Sequence, residues 1–188
     1  MGWFANYALC QINRILTRIG TATRKLARAI SVRCNEVLTF IDAETKHTDL
    51  LRDTLITSKG YWGYSQEQLD KWKSNLRFEK EYITRNTVKL ILEDKEVIGF
   101  FAIVKGDSDE LDHLWLLPKA IGKGYGNLAF EQIIIECNTL EIASFCIISD
   151  PDAEGFYIKK GALKIGEVYS EPQKRMLPKL KFTVVTST

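Results

Sequence analysis

Three glycines at alternate positions, Gly122, Gly124 and Gly126, follow an apolar run that stops at Pro118 and precede a stretch with helical apolar spacing. Such a loop is an anion cradle. Without Cβ atoms its backbone N–H groups approach a diphosphate closely, and a helix N-terminus behind them adds about half a positive charge. Ile121, Tyr125 and Asn127 complete the segment, and Lys123 stands where its ammonium would meet a phosphate at the rim. A P-loop would need Ser or Thr after the lysine, and the dinucleotide fingerprint would need G-x-G-x-x-G, so neither fits. A plain tight strand-to-helix connection has the same glycine pattern.

Upstream on the same run, Asp112 and His113 are adjacent titratable groups. On a regular strand they point to opposite faces, so only one of them faces a ligand, and Asp112 shares its face with Leu114 and Leu116. His113 has the better intrinsic pKa for a base, about 6.5; water through a wire is the third option. Downstream, Tyr157 carries a phenol, pKa about 10, able to lend a proton to a leaving group. It is equally the kind of aromatic that packs a helix face into a core. Tyr61, Trp62 and Tyr64 offer ring faces that attract a cation, or a plug between helix and sheet.

The elements that must position these groups are legible in outline. Residues 37–41 predict a short strand, followed by a helical stretch through Leu50, Leu51 and Leu55. An aromatic loop runs from Ser58 to Ser65, and Ser65 with Gln68 makes a capping-box pattern for a helix through Leu69, Trp72 and Leu76. Residues 88–92 and 97–104 predict a hairpin about the polar turn 93–96. A strand over 111–117 stops at Pro118, and residues 122–140 give the glycine loop and its helix. Residues 142–149 form a buried-type strand. Asp150 caps a helix with Pro151 at its first position, Gly161 ends it, and strands over 165–169 and 176–185 follow. The order predicts an α/β or α+β fold about a central mixed sheet.

Two blocks of this sequence resemble the GNAT superfamily of N-acetyltransferases. The strand–x–x–Pro118–x–x–x–Gly122–x–Gly124–x–Gly126–helix pattern looks like the family's coenzyme A pyrophosphate loop, with Ile121 where the family usually has Arg or Gln. The segment from Ser149 to Gly161 is similar to the family's N-x-x-A-x-x-x-Y-x-x-x-G, with Ala153, Tyr157 and Gly161 in register and Asp150 in place of Asn. The tail at 166–170 with Arg175 to Pro178, and the loop from Lys59 to Tyr64, resemble one poorly characterised bacterial branch. The resemblance spans roughly residues 37–183. It implies a central mixed, mostly antiparallel sheet flanked by helices, its strands splayed at the cofactor cleft, and acetyl-CoA as acyl donor. It also implies that the strand backbone at Leu116 and Leu117 pairs with the pantetheine arm, and that Leu116 N–H polarises the thioester. Residues 121–127 would hold the pyrophosphate, Asp150 would touch the arm, Tyr157 would be the acid, and Tyr61, Trp62 and Tyr64 would lie beside the acceptor. The expected activity is direct N-acetylation of a small amine, amino acid or peptide, with a non-catalytic acyl-CoA sensor as the alternative.

Charge distribution narrows the partners. Residues 1–35 carry Arg14, Arg18, Arg24, Lys25, Arg28 and Arg33 and no acid, leaving 20 basic and 24 acidic groups over 36–188. A mildly acidic body is a poor binder of duplex DNA, which needs clustered cations. The basic segment, with Ile12, Ile15, Leu16 and Ile19 at helical spacing, is compatible with a transit peptide, a membrane-surface helix or an extension without chemistry. We therefore separate a 1–35 extension from a 36–188 acetyltransferase domain, with no stable membrane insertion and a homodimer left open. Cys10, Cys34, Cys137 and Cys146 show neither C-x-x-C pairs nor metal spacing with His47 or His113, which predicts reduced thiols, no metal site and a cytoplasmic protein.

Overall fold

A computed structural model describes residues 38–76 and 78–184; the basic segment 1–35 lies outside the described residues. Strand β1 (Thr39–Asp42) leads through a 3-10 turn into α1 (Thr48–Tyr61), α2 (Gln66–Asn75) and α3 (Lys80–Arg85). A meander follows: β2 (Thr87–Glu93), β3 (Glu96–Val104) and β4 (Glu110–Leu116). The glycine loop opens α4 (Tyr125–Thr139), and β5 (Ser144–Ile148), α5 (Pro151–Lys159), β6 (Leu163–Ser170) and β7 (Arg175–Thr183) complete the order. The strands form one seven-stranded sheet, β1-β2-β3-β4-β5-β7-β6, antiparallel except between β4 and β5. This is the central mixed sheet that the element order predicts, mostly antiparallel and flanked by helices as the resemblance implies.

The sheet is buried on both sides because β3 is. Ile98–Ile103 is buried throughout, as the unbroken apolar run requires of a central strand. Phe100 and Ala102 pack with Leu51 and Leu55 of α1 and with Phe78 and Ile83, making one core. Phe101 and Ile103 pack on the other face, with Ala129, Phe130 and Ile133 of α4 and Tyr157 of α5. Each fully buried phenylalanine contributes about 1.5–3 kcal/mol relative to exposure, so these two layers hold the helices to the sheet. The β2–β3 turn places Asp94 and Lys95 at φ 49° and 72°, the left-handed pair of a type I′ hairpin.

Three local features differ from the sequence expectation. Helix α1 runs on to Tyr61, so Lys59, Gly60 and Tyr61 are helical, and the left-handed break comes only at Gly63 (φ 79°). Ser65 does cap α2 by accepting from Gln68 N–H at 3.3 Å, but the Gln68 side chain donates to Pro172 O instead of closing the box. Helix α3 is absent from the sequence reading, since six residues are too few to show a helical period.

Candidate active site

Strands β4 and β5 meet at a single parallel pairing, Glu110 with Cys146, beside which Cys146 N–H donates to Asp109 O at 2.8 Å. Beyond it they separate, although β4 stays paired with β3 through Leu116 and β5 with β7 through Ile148. Two features turn β4 aside. Ala102 pairs with His113 and Ile103 with Leu111, so Asp112 is an extra residue in a β-bulge. At Gly99 the strands come so close that a Cβ would stand 2.3 Å from Trp115 O, and no side chain fits there.

The register decides which backbone groups face the gap. Leu117 N–H donates to Ile98 O at 2.7 Å, which makes Gly99 and Leu116 a non-hydrogen-bonded pair. The N–H and C=O of Leu116 therefore point away from β3, toward the gap. Leu117 is corrected by the same bond: its amide is held by β3, and it does not line the cleft of about 370 Å³ that the gap opens.

The glycine loop forms one end of this cleft. Gly122 and Gly124 adopt φ of 81° and 83°, the left-handed region that L side chains enter only with strain. Among the described residues the N–H groups of Gly122, Lys123, Gly124 and Gly126 meet no backbone acceptor, and α4 begins directly behind them. Ile121, Gly122, Gly124, Gly126 and Asn127 line the cleft, although Ile121 N–H already donates to Pro118 O at 3.2 Å. Lys123 and Tyr125 do not line it. The Lys123 ammonium lies 3.4 Å from both Glu93 carboxylate oxygens, and the buried Tyr125 hydroxyl donates to Glu93, so both brace the loop against the β2–β3 turn. Unbonded amides, left-handed glycines and an apolar gap together fit a diphosphate with an extended arm.

Tyr157 lies on the cleft wall, 6% exposed, with its ring against Phe130 and Phe156. Burial pushes its pKa upward, so the phenol keeps its proton, and no described residue is hydrogen-bonded to it. Asp112 also lines the cleft, and the Tyr82 hydroxyl donates to its Oδ2. Here the alternation argument fails. The bulge puts the Asp112 carboxylate on the α3 side, 3.5 Å from His113 Nε2, whereas Leu114 and Leu116 pack on the opposite core. His113 itself does not line the cleft; Phe78, Tyr82 and Phe100 surround its ring. Desolvation lowers its pKa, and Trp115 Nε1 donates to its Nδ1 at 3.2 Å, so the neutral ring carries its proton on Nε2, toward Asp112.

The aromatic segment divides. Trp62 lines the cleft; Tyr61 is 53% exposed, packs edge-on against Trp62 and does not. Tyr64 stands behind Asp150. Its hydroxyl donates to Asp150 Oδ2 and accepts from Arg175 Nη2, and burial raises its pKa. Asp150 lines the cleft and caps α5, its Oδ1 accepting from Asp152 N–H at 3.2 Å. Sequence reasoning missed Lys59, Tyr82, Trp115 and the part played by Arg175. Lys59 left a signal: it falls four residues after Leu55 and eight after Leu51, a charge on the buried stripe of α1.

A sequence-family model described as "Acetyltransferase (GNAT) domain" matches residues 63–178. No curated protein matches the sequence. Among solved structures, the PaiA N-acetyltransferase of Thermoplasma acidophilum in complex with coenzyme A aligns over 78% of this chain and 99% of that one, at 16% identity and TM-score 0.64. A GNAT family acetyltransferase from Elizabethkingia anophelis with acetyl-CoA bound aligns over 78% and 97%, at 15% identity and TM-score 0.54. Ard1 from Thermoplasma volcanium aligns over 79% and 99%, at 13% identity and TM-score 0.58. At such identities the likeness is one of fold. The family match covers more than half of the chain and includes the strand gap and the glycine loop, and the chain belongs to the GNAT acetyltransferases.

Proposed function

We propose that this chain is an acetyl-CoA-dependent N-acetyltransferase that transfers the acetyl group directly to an amine. One observation carries the reading: Leu116, whose N–H and C=O point away from β3, lines the same cleft as the glycine loop with its unbonded amides, Tyr157 and Asp112. The loop amides and the α4 N-terminus bind the donor's diphosphate, and the gap takes its arm. Leu116 N–H, directed away from β3, stabilises the negative charge that develops on the thioester oxygen. Asp112, held by Tyr82 and faced by His113 Nε2–H, accepts the proton of the attacking amine, directly or through water. As the new C–N bond forms and the C–S bond breaks, Tyr157 gives its proton to the sulfur.

Thermal unfolding with acetyl-CoA tests the binding half, since a ligand of the folded state alone raises the melting temperature. Free-thiol release over a panel of amines tests the chemistry. No shift at millimolar acetyl-CoA refutes the reading. A shift without any amide product leaves an acyl-CoA sensor.

A further inference from the structure

The cleft is lined from both faces of the sheet. Leu116, Phe156 and Tyr157 belong to the core under α4 and α5 or pack against it, which is the side of the glycine loop. On the opposite face β4 supplies Trp115, which packs with Leu51 and Leu55 of α1, and Asp112, whose partner Tyr82 packs against the same core. Helix α1 supplies the rest. Ser58 and Trp62 follow Leu55 by three and seven residues, so they continue the stripe of α1 that packs on β4, and both line the cleft. Ser58, Trp62, Asp112 and Trp115 thus form the mouth on the face away from the donor loop.

The chemistry of this mouth is one-sided. The Ser58 hydroxyl gives its proton to Thr54 O at 2.7 Å, and the Trp115 N–H goes to His113, so neither donates into the cleft. A carboxylate at Asp112 only accepts. Among the described residues no lysine, arginine or histidine lines the cleft. Lys59, between Ser58 and Trp62 in sequence, does not line it. Its ammonium is enclosed by three rings, 4.4 Å from the centre of Trp72, 4.8 Å from Trp115 and 5.1 Å from Tyr64, with no hydrogen bond or ion pair to any described residue. Trp62, by contrast, is 40% exposed and belongs to neither core, so its indole is free for a ligand.

Resting on the acetyltransferase reading above, we propose that the acceptor is an arylalkylamine, an amine on a flat apolar body without a carboxylate. Its ammonium is drawn to Asp112, and its ring is received by the indole surface of Trp62 and Trp115. Ring burial and aromatic contact supply the affinity. A carboxylate beside the amine would enter a mouth that offers it no cation, next to the charge of Asp112, and would lose its water without replacement. Trp62 sets the specificity, because Trp115 is already committed to the core and to His113.

The test is a panel of 2-phenylethylamine, tryptamine, propylamine, phenylalanine and spermidine, with thiol release measured as kcat/KM at pH 7. Phenylalanine has the lower amine pKa and so supplies more free base, and a preference for phenylethylamine over it must come from the site. We expect the arylalkylamines to be preferred over propylamine by about 10- to 100-fold, the worth of burying an aromatic ring. Over phenylalanine the preference should be about tenfold or more, the worth of a desolvated group left unpaired. Trp62→Ala should bring the ring preference toward unity, while the discrimination against phenylalanine and the acetyl-CoA melting shift persist. Equal turnover of phenylethylamine and propylamine overturns the proposal, as does a preference for phenylalanine or spermidine. So does an undiminished ring preference in Trp62→Ala, or loss of the acetyl-CoA shift in that variant, which would make the indole a donor contact. Turnover of no panel member while acetyl-CoA still raises the melting temperature overturns it too. A missing acetyl-CoA shift in the unaltered protein would instead strike the acetyltransferase reading.

Discussion

Replacing Lys59 with Met should stabilise the protein at neutral pH, and the gain should vanish in alkali. The ordinary lysine pKa of 10.5 falls to about 8 in the folded chain, with desolvation as the leading cause. Below pH 8 both folded and unfolded states are protonated, and the folded state bears the whole desolvation penalty. Between 8 and 10.5 the unfolded state holds more protons, so stability rises with pH over that window. At about 1.4 kcal/mol per pKa unit the penalty reaches roughly 3 kcal/mol. Met fits the same stem space and keeps sulfur–aromatic contact with the three rings, while the lysine's cation–π attraction offsets part of its cost. A net gain of about 1–3 kcal/mol is therefore expected at pH 7, or roughly 2–4 °C in melting temperature per kcal/mol for a domain of this size. Urea unfolding of both proteins at pH 7, 8, 9 and 10 measures it, since groups common to the two cancel in the difference. A gap that stays constant with pH, or a Met variant less stable at pH 7, would refute the picture of a buried cation without a counter-ion.

Tyr157→Phe should leave the melting temperature and acetyl-CoA affinity nearly unchanged, because the lost oxygen bonds to no described residue, while kcat falls by about 10²–10⁴; a loss confined to KM would show that the phenol holds ligand and moves no proton. Asp112→Asn should cost kcat a similar factor, and Tyr82→Phe only about tenfold, one hydrogen bond's worth of positioning; an equal loss from both would assign the chemistry to the tyrosine. Gly126→Val should abolish the acetyl-CoA melting shift, since even its Cβ would stand 3.4 Å from the Phe156 ring and its methyls would fill the space between loop and α5. An undiminished shift in that variant would place the diphosphate elsewhere.

Local chemistry made much of this protein legible before any coordinates. The glycine loop before α4, the Asp150 cap with Pro151, the β2–β3 hairpin and the unbroken apolar run of β3 depend on residues close in sequence, and each formed where the sequence predicts it. The glycine loop and Tyr157, which line one cleft, stood out in the sequence for the same reason, their motifs being contiguous. What the sequence could not decide is where distant segments meet. Whether Asp112 or His113 faces the cleft depends on a bulge, which exists only because β3 and β4 pair out of register at Ile103. The partner that holds Asp112 comes from α3, thirty residues away, and Lys123 turns to Glu93 because the hairpin turn lies beside the loop. Lys59 shows the division most clearly. Its place on the apolar stripe of α1 is written in the spacing, but its three rings come from the loop before α2, from α2 itself and from β4, and its lack of an anion follows from Asp150 being engaged by Tyr64 and Arg175. Burial and ion pairing are properties of the assembled surface around a charge, so only the tertiary structure could set them.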